Sequence, residues 1–237
     1  MTSPTTPVVD AAALEQQPRR RSGHRGWTAV AAVELAIAVG CVVFDQTVPT
    51  LPLLAVAALG LAARRQGVGA IGVRALTPVR RVAGQVLAFT GVWTLLQLAV
   101  FLPLAEHLTG TRQDVSDFAG LEGNLGKLFV LLGLSWTLAA AGEELVFRGW
   151  IPTRITDLVG AGRVGVALAV LVSSALFALI HTEQGVVGVA ATFFDAIFFS
   201  GLRLRYGSVW ASWLAHGLNN TFGLVAFFLV GPVAGLW

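Results

Sequence analysis

The stretch Gly142-Glu143-Glu144-Leu145-Val146-Phe147-Arg148-Gly149 sets two adjacent carboxylates in one of the most apolar regions of the chain. A charged side chain at the centre of a bilayer costs about 2.5–3.5 kcal/mol on insertion scales. A pair is kept there only where it is used. The stretch therefore reads as a helix inside a membrane with a functional site on it.

The composition around it agrees. Of 237 residues, 55% are hydrophobic and 12% charged, and the mean hydropathy is +0.75. That is too apolar and too charge-poor for a water-soluble domain. The expected fold is an all-α, polytopic transmembrane helical bundle. A spanning helix takes about 20 mostly apolar residues, and segments of that kind stand at 27–44, 49–63, 83–105, 126–147, 164–181, 185–202 and 209–230. This predicts about seven or eight helices, with the active site within the membrane.

The pI near 10.0 goes with a net charge of only +3, spread over short loops. That is the charge pattern of membrane topology, so the expected partner is the lipid bilayer and not nucleic acid. Lys127 is the only lysine, and Ala, Val, Leu and Gly dominate, as in a GC-rich bacterial coding sequence. A bacterial plasma membrane is the expected location. Cys41 has no partner cysteine and reads as an inert thiol. Arginines collect at 64–65, 74, 80–81, 148–163 and 203–205, whereas Glu106, Asp114, Asp117 and Glu122 share one loop. The positive-inside rule puts the arginine loops and the N-terminus in the cytoplasm and the acidic loop outside.

Three parts follow: a disordered basic tail over 1–25, N-terminal scaffold helices over 26–105, and a catalytic core over 126–230. The scaffold carries little polar material beyond Glu34 and Asp45. Glu143, Glu144, Arg148, His181, Asp195, His216, Asn219 and Asn220 all lie in the second half, in or beside apolar segments. The tryptophans at 27, 93, 136, 150, 210, 213 and 237 fall mostly near segment ends and read as an interfacial belt.

Glu144 and Arg148 are four apart and share a helix face, so they can pair. Glu143 is rotated about 100° from its neighbour and can face something else. One carboxylate is then structural and the other is free to act as a base. Phe177-x-x-x-His181 closes one apolar segment, and His216-x-x-x-Asn220 puts a histidine and an amide on one helix face. Two histidines, a carboxylate and an amide are the kit for activating water and holding an oxyanion. They meet if the helix bearing Glu143 continues past Arg148 to about Leu158 and turns back at Gly160-Ala161-Gly162. Glu143 and His181 are then about equally far from the turn. Spacing selects Asn220 over Asn219 for the amide role. Asp195 fits no motif; it is expected to bond a neighbouring helix or to orient a histidine.

Glu-Glu-x-x-x-Arg at 143–148, Phe-x-x-x-His at 177–181 and His-x-x-x-Asn at 216–220, in this order on hydrophobic helices, resemble the CPBP family of intramembrane proteases. That family includes the type II CAAX prenyl proteases and the bacterial Abi proteins, and the likeness covers about 126–225. The resemblance implies hydrolysis of a peptide bond in a membrane-associated protein, CAAX-like or other. It implies that Glu143 and His181 activate the water, that His216 and Asn220 bind the oxyanion, and that Glu144 and Arg148 support the site. No cofactor is expected; a zinc site built from Glu143, His181 and His216 is the alternative. Two further readings are a non-catalytic bacteriocin-immunity or scaffold protein and a proton-coupled transporter. The transporter is disfavoured by the lack of an internal repeat.

Overall fold

The computed structural model describes residues 24–44 and 49–232, so the N-terminal tail up to residue 23, Asp45 and Trp237 lie outside the described residues. The chain is all-helical: α1 His24–Phe44, α2 Thr50–Ala63, α3 Val79–Thr109, α4 Leu125–Val159, α5 Arg163–Leu179, α6 Gly185–Tyr206 and α7 Val209–Val230. Five of these are long and apolar enough to cross a membrane, while α2 and α5 have 14 and 17 residues. The outside of the bundle is apolar, with Phe44, Leu59, Leu108 and Val164 among the most exposed side chains. That is the surface expected of a body solvated by lipid.

The segment read as 126–147 is the main revision. α4 runs on through Arg148 to Val159, turns at Gly160, and α5 packs back against it as the hairpin spacing predicts. Arg148 and Arg154 are therefore buried on a helix rather than lying in a cytoplasmic loop. Both find carboxylates, and that makes their burial tolerable: Arg148 pairs with Glu144, and Arg154 with Asp157 at 2.9 Å.

α4 is also not α-wound throughout. Ser135–Glu143 and Leu145–Trp150 take the wider π winding, so Glu143 and Glu144 are separated by less than the 100° of an α-helix. Neighbouring helices claim carbonyls of this stretch. Trp213 Nε1 donates to Trp136 O at 3.1 Å, and Ser173 Oγ donates to Phe147 O.

α1 and α2 pack directly on α4. Ala38, Val42, Leu53, Ala57 and Leu61 share one core with Val146, Phe147, Trp150, Ile151 and Ile155. Glu34 is buried on α1 and pairs with Arg64, so the first helices do carry a buried charge with a partner. A second core joins Val82 and Val86 of α3 to Phe199, Leu202, Ala211 and Ala215 of α6 and α7.

The tryptophan belt is corrected as well. Trp150 is 0% exposed, Trp93 donates to Asp195 Oδ1 at 2.6 Å, and Trp136 donates to Thr221 Oγ1 at 3.0 Å. Trp93, Trp136 and Trp213 stitch helices together inside the bundle, because each of these indole N–H groups finds an acceptor on another helix, while Trp150 is packed in the core with its Nε1 unpartnered.

Candidate active site

Loop 64–78 sets the height of the site. Ile71 O lies against Gly149, where a Cβ would come within 3.0 Å of it, and Gly72 O accepts from Val209 N at 2.9 Å. Residue 149 of α4 and the start of α7 are thus held level. Glu143 precedes the first by six residues and His216 follows the second by seven, so both lie on the same side of that level. They arrive side by side.

At the centre is the Glu144 carboxylate, 0% exposed. Its Oε1 lies 3.0 Å from Arg148 Nη1 and 3.0 Å from His216 Nδ1. The sequence-predicted pair with Arg148 forms; the bond to His216 was not anticipated, because it joins positions 72 residues apart. The guanidinium of Arg148 sits 4.1 Å over the Phe177 ring and 5.3 Å from that of Phe199. Flanking aromatic faces hold a charge that little else in the bundle would solvate.

Glu143 is different. Its Oε2 is buried without a hydrogen-bond partner, and His216 Nε2 approaches it to 3.9 Å. It is within electrostatic reach of His181, His216 and Arg148, but Arg148 forms its ion pair with Glu144. His216 therefore stands between the two carboxylates, with Nδ1 toward one and Nε2 toward the other.

His181 ends α5. Its backbone N–H donates to Ala178 O at 3.1 Å, and its ring Nδ1 lies 2.9 Å from Phe177 O, a carbonyl to which the ring nitrogen can only donate. This bond places the proton on Nδ1 and leaves the Nε2 lone pair available. Phe177 joins the groups: its ring centroid is 4.7 Å from that of His181 and 5.8 Å from that of His216. Phe199 stacks on His216 at 5.0 Å and 14°.

The two asparagines separate clearly. Asn219 Oδ1 accepts from Thr94 Oγ1 at 2.8 Å and ties α7 to α3, whereas Asn220 has no hydrogen-bond partner among the described residues. Asp195 bonds the neighbouring helix, taking Trp93 Nε1 and Gln97 of α3. Phe199, Trp93 and Trp136 are site neighbours that the sequence did not mark, since aromatics on an apolar helix give no separate signal.

Among the described residues no three His, Cys, Asp or Glu side chains converge as a metal site would require. Glu143, His181 and His216 do not fit as a ready zinc triad, and no step below is routed through a metal.

Residues 125–222 match the family model described as type II CAAX prenyl endopeptidase Rce1-like. No curated protein and no solved structure matches. The matched segment runs from the start of α4 to two residues past Asn220 and so contains all six predicted site residues.

Proposed function

We propose that this chain, which matches the Rce1-like type II CAAX prenyl endopeptidase family model over residues 125–222, hydrolyses a peptide bond of a membrane-associated protein with a water activated by Glu143 and His181. The observation that carries the reading is the asymmetry of the carboxylate pair. Oε1 of Glu144 is engaged at 3.0 Å by both Arg148 and His216, while among the described residues Glu143 makes no side-chain hydrogen bond and is approached by His216 Nε2 only to 3.9 Å. A scaffold or immunity protein has no use for that second, unsatisfied carboxylate.

In the proposed reaction, Glu143 takes a proton from water as its oxygen attacks the scissile carbonyl, with the His181 Nε2 lone pair orienting the water. The new C–O bond puts a negative charge on the former carbonyl oxygen. His216, donating from both ring nitrogens, and the free Asn220 amide meet that charge. Collapse breaks the C–N bond, and the proton held by Glu143 passes to the leaving amine. The substrate is a membrane-associated peptide, CAAX-like or other, and the chemistry needs no cofactor.

The test uses the purified full chain and a membrane-anchored peptide in detergent. Glu143→Gln and His181→Ala should each lower turnover by about 10²–10⁴-fold while the elution profile stays that of the folded protein. Activity should survive a strong chelator, with less than stoichiometric zinc by elemental analysis. Full activity in both variants would end the proposal, and one tightly held zinc per chain would end the metal-free part.

A further inference from the structure

The basic end of the bundle holds arginines that the proposed chemistry does not use. Loop 64–78 docks on the α6–α7 turn through Val209 N to Gly72 O, and Ser208 Oγ donates to Arg74 O. Docking lays the Arg203 guanidinium on Gly72, where any Cβ would collide with it. Gly72 has φ +87°, so glycine is required there twice over. Arg74 stands close enough to act electrostatically on Arg203, and Arg205 leans over Phe89 and Tyr206 at 5.6 Å.

Neither 46–105 nor 196–237 contains an Asp or a Glu. Among the described residues Arg203 forms no ion pair, its Nε is buried without a hydrogen-bond partner, and the charged group acting on it is Arg74, of like sign. Topology explains exposed loop arginines. It does not explain a guanidinium tucked beneath a loop beside a second one, with no anion supplied by the described residues. Val79, Leu204 and Trp210 are exposed around this end of the bundle, so the missing anion must sit where lipid tails begin.

We propose that Arg203 and Arg74 bind the phosphate of an anionic phospholipid headgroup. The free phosphate oxygens match the forked donors of guanidinium, and the acyl chains lie along the apolar flank. The site lies outside the Glu143 cluster and does not depend on the proposed hydrolysis.

Native mass spectrometry of the full chain, with phosphatidylglycerol or phosphatidylcholine of equal acyl length, tests this. The wild type should retain one phosphatidylglycerol under activation that strips phosphatidylcholine. Arg203→Gln and Arg74→Gln should each lower the bound fraction about fivefold, while Arg163→Gln, at the same end but outside the cluster, should not. Because Arg203 is packed into the fold, the exposed Arg74 carries the test if Arg203→Gln fails to fold. Equal retention of the two lipids, or an equal loss in Arg163→Gln, would mean diffuse attraction and overturn the site. Inorganic phosphate is the last arm: if it alone raises thermal stability as much as phosphatidylglycerol does, the ligand is a free anion and the lipid assignment fails.

Discussion

Glu144 and Arg148 have side chains 0% and 1% exposed, and the worth of such a pair lies in neither partner being left alone. Glu144→Leu strands a cation between Phe177 and Phe199, and Arg148→Leu strands an anion; each should cost about 3–5 kcal/mol of folding stability. Replacing both together should return most of that loss in denaturant unfolding and still give an inactive protein, because His216 then has no carboxylate at Nδ1. Additive losses in the double variant would mean the pair is not energetically coupled. The asparagines make a second contrast. Asn220→Ala removes the proposed oxyanion donor and should lower kcat about 10²–10³-fold with little change in KM. Asn219→Ala loses its bond to Thr94, about 1 kcal/mol, and should register mainly in stability. At this scale the sequence marked the polar residues that the fold gathers, since Glu and His are conspicuous on apolar helices. What it did not carry was partner choice. His216 to Glu144 and Trp93 to Asp195 join different helices, and no local pattern encodes such a contact.

Among the elements, α4 bears both carboxylates, and its contact with α7 decides whether His216 reaches them. Gly217 is the close point: a Cβ there would lie 2.5 Å from Trp136 ring carbons, and that indole is already fixed by Thr221 and packed edge-on against Trp213. Gly217→Ala should push α7 outward, cost about 1–3 kcal/mol, and lower turnover at least tenfold through the neighbouring His216. Gly223→Ala on the same helix, where nothing lies within 4 Å, should match the wild type in both melting temperature and rate. Equal effects from the two would place the strain in α7 itself rather than in its contact with Trp136. Hydropathy located the helices because lipid demands long apolar runs, but a window that stops at a charge ends α4 near Arg148. Spacing from Gly160 recovered the true length, since the hairpin had to bring Glu143 level with His181. The π winding was not legible, as it depends on acceptors and donors brought by α5 and α7.

Across the whole molecule, charge is sorted by end. Arg65, Arg74, Arg80, Arg81, Arg163 and Arg205 lie at the end where loop 64–78, the α4–α5 turn and the α6–α7 turn gather. At the other end Asp114 N donates to Gln184 O and Gly123 N to Phe228 O, which draws the acidic loop against the ends of α5 and α7. This was readable in outline because topology is written in loop charge, whereas the buried Glu34–Arg64 pair was not, since a lone glutamate on α1 does not name its partner. The positive-inside rule then orients the bundle with its arginine end in the cytoplasm and the acidic loop outside. Three single cysteines in a Cys41→Ala background test the orientation: Ser116→Cys in the acidic loop, and Ala70→Cys and Ala161→Cys at the arginine end, all at exposed positions. A membrane-impermeant maleimide should label Ser116→Cys on intact cells, and the other two only after permeabilisation. The opposite pattern would invert the protein, and labelling of Ala70→Cys and Ala161→Cys from opposite sides would break the α4–α5 hairpin on which the meeting of Glu143 and His181 depends.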